Sequence, residues 1–172
     1  TPTAGVSGQG KWSSGVALVD INNDNKLDIY VCATARKIPS MRANMLYVNQ
    51  GNDKNNVPIF KEMAKEYGIA DTSHTTNAAF FDYDNDGWKD LFVLAHGANT
   101  LFHNEQGKGF IDVTDTARVG DKGKGTSAAW GDYDNDGFLD LYVTNWSCFP
   151  KCDPVDDTQA QDRLYHNSGD GS

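Results

Sequence analysis

The chain has 172 residues, of which 38% are apolar and 23% charged, and its net charge is -9. That composition suits one globular domain with a real core and excludes a disordered tract. The acidity excludes a basic nucleic-acid face, and no apolar run approaches the ~18 residues of a membrane span. No basic, apolar, small-residue signal region stands at the N-terminus.

Taken in order, the chain reads as three copies of one unit. The first begins with a strand over 12–19, an acidic loop from Asp20 to Asp28, and a strand that continues to Val31. A basic insert, 33–43, leads to a third strand over 44–51, which ends in a polar, glycine-bearing turn. A fourth strand follows at 58–63, with the stretch 64–70 behind it. The second copy runs through a strand at 76–81, the loop Asp82–Asp90, and strands at 90–93, 99–107 and 109–114. The third has a strand at 126–131, the loop Asp132–Asp140 and a strand to Val143. A long acidic-aromatic insert, 145–161, and a third strand at 162–169 follow, and the sequence stops at 169–172, where a fourth strand of this unit is expected to start.

The strand assignments rest on β-branched and aromatic enrichment in runs of four to six residues. None of these runs carries a 3.6-residue apolar period long enough to bury a helical face. Four short antiparallel strands per unit, repeating every 62 and then 50 residues, predict an all-β fold of β-propeller blades. The blades fall at roughly 11–71, 72–121 and 122–172. Three are fewer than the about 4–8 that close a ring. The chain is therefore expected to be a segment of a longer propeller, with self-association as the alternative route to closure.

The loops carry the chemistry. Asp82, Asp84, Asp86 and Asp90 stand at relative positions 1, 3, 5 and 9, and Asp132, Asp134, Asp136 and Asp140 repeat that spacing. The first loop offers Asp20, Asn22, Asp24 and Asp28. A tight turn with this spacing directs hard oxygens inward, and the backbone carbonyl of position 7 (Lys26, Trp88 or Phe138) adds another. The expected ion is Ca2+, at up to three sites, the first weakest because Asn22 replaces a carboxylate. Gly87 and Gly137 stand at the sharp bend; Asn25 holds that place in the first loop and tolerates a left-handed conformation. The loops hold eleven of the 24 acidic residues, and three divalent cations would bring the net charge to about -3. An EF-hand is excluded, because its twelfth position needs a bidentate Glu and here is Val31, Val93 or Val143.

Other side chains carry less. Cys148 and Cys152 could close a small disulfide loop in an oxidising compartment, leaving Cys32 as a buried thiol. His103 and His166 share one repeat position and read as structural, which leaves His96 the histidine free for another role. Trp12, Trp130, Tyr83 and Tyr133 recur near the loops and are expected to pack between blades. Trp146 and Phe149 lie in the long insert and could contact a sugar or a protein. Asn145-Trp146-Ser147 is a glycosylation triplet. No nucleophile elbow, cysteine–base pair or phosphate loop is present, so no catalysis is expected.

The stretches Phe81–Val93 and Trp130–Val143, with the half-repeats Leu46–Gly51 and Leu164–Gly169, resemble the FG-GAP/VCBS repeats. These occur in integrin α-subunits and in secreted bacterial proteins, including those with ASPIC/UnbV domains. The resemblance implies an extracellular, usually seven-bladed propeller with calcium in its blade loops. Asn22 and Asn25 depart from the pattern. Together these readings predict a secreted or cell-surface binding, scaffolding or adhesion module. Its expected partners are a protein or glycan held by the inter-strand inserts, and further blades. The alternatives are a lectin-like propeller and the non-catalytic blades of a larger secreted enzyme.

Overall fold

The computed structural model describes residues 4–8, 10–34, 37–146 and 161–170. Strands β1 (Trp12–Val19), β2 (Asp28–Thr34), β3 (Met45–Asn52) and β4 (Pro58–Glu62) pair in chain order as sheet 1. Strands β5 (Thr75–Phe81), β6 (Asp90–Ala95), β7 (Thr100–Asn104) and β8 (Phe110–Asp112) repeat that order as sheet 2. Strands β9 (Gly125–Gly131), β10 (Asp140–Asn145) and β11 (Arg163–Tyr165) form sheet 3, in the order β9-β10-β11. Every pairing is antiparallel. One helical turn, α1 (Thr114–Ala117), follows β8. The fold is all-β: two antiparallel sheets of four strands and a third of three described strands.

The sheets stack face to face, and side-chain alternation along β6 makes this possible. Leu91 and Val93 point into a cluster shared with sheet 1, against Tyr30, Cys32, Leu46 and Ile69. Phe92 and Leu94 point the other way, into a cluster shared with Leu141 and Val143 of sheet 3. Both faces of β6 are thus covered, and all six of its residues are buried. Trp130 stacks on Phe81, ring centroids 3.4 Å apart, across the seam between sheets 2 and 3.

Polar links repeat at the first strands. Ser14 Oγ donates to Thr75 O at 2.8 Å, and Thr76 Oγ1 donates to Gly125 O at 2.6 Å. Gly15 lets the first of these seams close tightly: a Cβ there would lie 3.0 Å from Thr76 O and Asn77 Oδ1, nearer than most side-chain contacts.

Two aromatic expectations need correction. Trp130 and Tyr83 pack between sheets, but Trp12 and Tyr133 are each 56% exposed. Tyr133 has the loop position of Tyr83, yet no described sheet stands beyond sheet 3 to receive it. Cys32 is a free thiol, fully buried, and burial pushes its pKa up to about 12. Cys148, Cys152 and Phe149 lie outside the described residues.

Phe92→Ala should cost about 3–5 kcal/mol in urea denaturation, because it empties a covered core position. Tyr142→Ala, at the same strand position in sheet 3 but 43% exposed, should cost about 1 kcal/mol. Cys32 should resist iodoacetamide at pH 8 in the folded protein and react on unfolding, read by intact mass.

Candidate metal centre

Each acidic loop is an edge between first and second strands, wound by its own side chains. In loop 2, Asp82 accepts from the N–H groups of Asp86 (3.1 Å) and Gly87 (3.0 Å), while Asp86 accepts from Trp88 N–H (2.8 Å). Loop 3 repeats these bonds: Asp132 accepts from Asp136 and Gly137 at 3.1 and 3.0 Å, and Asp136 from Phe138 at 2.9 Å. In loop 1, Asp20 accepts from Asp24 and Asn25 at 3.1 and 2.7 Å, and Asp24 from Lys26 at 2.9 Å. These carboxylate–backbone bonds are what Asp at positions 1 and 5 supplies to a turn. Gly87 and Gly137 sit at φ 90° and 94°, and Asn25 adopts φ 62°, so asparagine carries the same left-handed bend.

The ninth residue holds the loop to the sheet. Asp90 is buried and accepts from Tyr83 N–H at 3.3 Å and from Asn104 N–H at 2.8 Å. Asp140 is held the same way by Tyr133 and Asn167, and Asp28 by Ile21 and Asn49. Burial raises the Asp90 carboxyl above its ordinary range; the two N–H groups oppose this and the Asp84 charge adds to it. At Asp140 burial again acts upward, but bonds from Asn167, Tyr133 and His166 outweigh it, and the net shift is downward. The difference follows the cover: the His103 side chain over Asp90 is 20% exposed, and that of His166 over Asp140 is 43% exposed.

Three of the four expected carboxylates of loop 2, and three of the four of loop 3, are brought together in one set each. Oxygens of Asp82, Asp84 and Asp90 lie within 4.8 Å of one another, and so do those of Asp132, Asp134 and Asp140. In loop 1, among the described residues, Asn22 leaves no such trio of carboxylates, and Lys26 Nζ lies 2.9 Å from Asp24 Oδ2.

Sequence reasoning missed two groups at the site. His103 with Asp84 and Asp86, and His166 with Asp134 and Asp136, also converge within 4.8 Å. His103 Nδ1 lies 3.1 Å from Asp90 and 3.3 Å from Asp84, close enough for an ion pair when protonated. It is out of line for a hydrogen bond, so this buried nitrogen has no hydrogen-bond partner among the described residues. The available signal was their shared register one residue before the turn asparagine. Val48 holds that register in sheet 1 and is buried in the core instead.

Asparagines tie each site to the next. Asn104 Nδ2 donates to Ile21 O of loop 1 at 3.0 Å and to Lys89 O of its own loop at 2.9 Å. Asn167 Nδ2 likewise reaches Tyr83 O at 2.8 Å and Leu139 O at 3.2 Å. The loops also bond directly, Asn23 Nδ2 to Gly87 O at 3.4 Å and Asn85 Nδ2 to Gly137 O at 3.1 Å. Gly107 must lack a side chain, because a Cβ there would stand 2.8 Å from the Trp88 ring and 2.9 Å from Asn22 Cα.

The other candidates lie away from the loops. Trp146 is half exposed, with Lys124 Nζ 5.3 Å from its ring centre. Asn145 of the glycosylation triplet uses its Nδ2 in bonds to Asp121 (2.6 Å) and Gln161 O (2.8 Å), so the unmodified amide is built into the fold.

A strand–acidic loop–strand unit that recurs in stacked sheets, latched by asparagines, defines a repeat protein. Residues 82–143, from loop 2 into β10, match the family model described as FG-GAP-like repeat. No curated protein matches the chain.

Asn104→Ala should destabilise by about 2–4 kcal/mol, because it orphans Ile21 O, Lys89 O and the Gly107 N–H that Asn104 Oδ1 accepts. Asn49→Ala loses only partly solvated bonds to Leu27 O and Gly51 N–H and should cost about 1 kcal/mol. Urea midpoints for the two variants give the comparison.

Proposed function

We propose that the chain is part of an extracellular calcium-binding β-propeller whose work is binding, scaffolding or adhesion rather than catalysis. The observation that carries this reading is the convergence of three carboxylates in loops 2 and 3, on the segment that matches the FG-GAP-like repeat. Clustered carboxylates repel and raise one another's affinity for protons, and a divalent cation removes that cost. The donors are hard oxygens, the type that Ca2+ gathers in sets of about 6–8. Asp82, Asp84, Asp86 and Asp90 would hold the ion in loop 2, and Asp132, Asp134, Asp136 and Asp140 in loop 3. Asp20, Asn22, Asp24 and Asp28 would form the weakest site. When bound, the ion supplies positive charge that fixes the turn between first and second strands. The strand inserts are then presented on a stiff frame to a protein or glycan. Repeated stacking of four-stranded sheets supports the reading of each sheet as a propeller blade.

Isothermal titration of EDTA-stripped protein with Ca2+ should give saturable heat. The melting temperature should rise, by the equivalent of about 1.4 kcal/mol for each tenfold excess over Kd. Asp90→Asn and Asp140→Asn should each remove one site. No heat and an unchanged melting temperature would overturn the calcium reading. Tighter binding of Zn2+ or Mn2+ than of Ca2+ would shift it to the histidine-bearing sets.

A second reading is favoured by one observation, the half-exposed Trp146 ring beside Lys124: a lectin-like contact with sugar. A glycan array probed with and without Ca2+ separates the two, and loss of all signal on Trp146→Ala would mark the sugar site.

A further inference from the structure

In sheet 2 a histidine on the third strand meets the acidic loop. β6 and β7 pair with Leu91 opposite Phe102, so the next residues outward, Asp90 and His103, are neighbours where the ladder ends. The His103 ring lies edge-on to the Tyr83 ring, 6.1 Å between centres and 86° between planes. Tyr83 is itself packed against the core between sheets 2 and 3, so the imidazole has a fixed wall beside it.

The ring nitrogen turned toward the loop is Nδ1. It is buried, 3.3 Å from Asp84 Oδ2 and 3.1 Å from Asp90 Oδ1, yet it makes no hydrogen bond to either. A bare nitrogen lone pair among carboxylates is repelled unless a proton or a cation stands between them. A proton on Nδ1 would be out of line with both oxygens. Two ligands of one ion, at bond lengths of about 2.0–2.2 Å, stand about 2.9–3.5 Å apart, and the Nδ1–Asp84 separation has that size. Asp86 completes the set, with one ligand atom from each of Asp84, Asp86 and His103 within 4.8 Å of one another.

The other two loops differ at this point. His166 keeps the register in sheet 3, but its Nδ1 is engaged with Asp140 at 3.0 Å and its side chain is 43% exposed. Val48 holds the register in sheet 1 and offers no donor, and Lys26 Nζ already sits 2.9 Å from Asp24 there. Loop 2 alone of the three joins its carboxylates to an imidazole nitrogen without a hydrogen bond.

We infer that Asp84, Asp86 and His103 form a mixed carboxylate–imidazole site for a divalent first-row transition ion such as Zn2+. Ca2+ gathers oxygens, whereas imidazole nitrogen suits Zn2+ and its neighbours in the series. The oxygen trio Asp82, Asp84 and Asp90 remains the calcium set, and Asp84 belongs to both. The inference rests on the metal reading of loop 2 for its carboxylates and on His103 for its selectivity, so the two fail separately.

The test follows the imidazole nitrogens of the EDTA-stripped, 15N-labelled chain by NMR as Zn2+ is added. The His103 Nδ1 resonance should move saturably, and at lower Zn2+ than that of His166. By isothermal titration, His103→Gln should weaken the tightest Zn2+ event at least about tenfold and change Ca2+ affinity less than about threefold. The wild-type titration decides even if the variant folds poorly. A His103 resonance that stays still at millimolar Zn2+ sinks the inference, and so does an equal loss of Zn2+ and Ca2+ in His103→Gln. Saturable Ca2+ heat with a still His103 resonance removes this site and leaves the calcium reading; a moving resonance without Ca2+ heat supports this site and removes that reading.

Discussion

One buried carboxylate per repeat holds this architecture together. Asp28, Asp90 and Asp140 are almost wholly removed from water, and each accepts one N–H from its own loop and one from the end of the third strand. A single side chain thus fixes loop, second strand and third strand in one register. Burying an ionised group is costly unless its oxygens are satisfied, and two N–H donors meet only part of that demand. The remainder shows at Asp90, where burial and a neighbouring carboxylate raise the pKa. The structural tie and the candidate metal ligand are the same atom set, so whatever neutralises the loop also stiffens the sheet.

Coupling then passes sideways. The turn asparagine that donates its N–H to the buried aspartate also sends its amide to the preceding loop, as Asn104 does to Ile21 and Asn167 to Tyr83. The loops bond to one another through Asn23 and Asn85, and the opposite side of the stack is joined through Ser14 and Thr76. Each sheet therefore contacts its neighbours by the same few groups, and the energetics are those of a one-dimensional array. Such an array leaves its outermost faces uncovered. Val16 and Leu18, each 64% exposed, occupy in sheet 1 the positions at which Ala78 and Phe80 of sheet 2 are packed.

Much of this was legible in the sequence because both periods are short. The 1-3-5-9 spacing of the aspartates and the alternation after each loop placed turns and strands correctly, and the left-handed bend was readable even where Asn25 replaces glycine. The histidines were not legible. His103 and His166 share a repeat register that looks structural, and only the pairing of third strand to second turns that register toward the carboxylates. Trp12 and Tyr133 were misjudged for the complementary reason: their exposure depends on a neighbouring sheet rather than on anything in their own repeat.

The sequence by itself determined the local unit. Side-chain period, turn residues and loop spacing act over about ten residues and need no partner to be read. The tertiary structure decided which equivalent residues are core and which are surface, and where the histidines point. Those outcomes rest on which sheet lies against which face, a relation that exists only once two sheets have met.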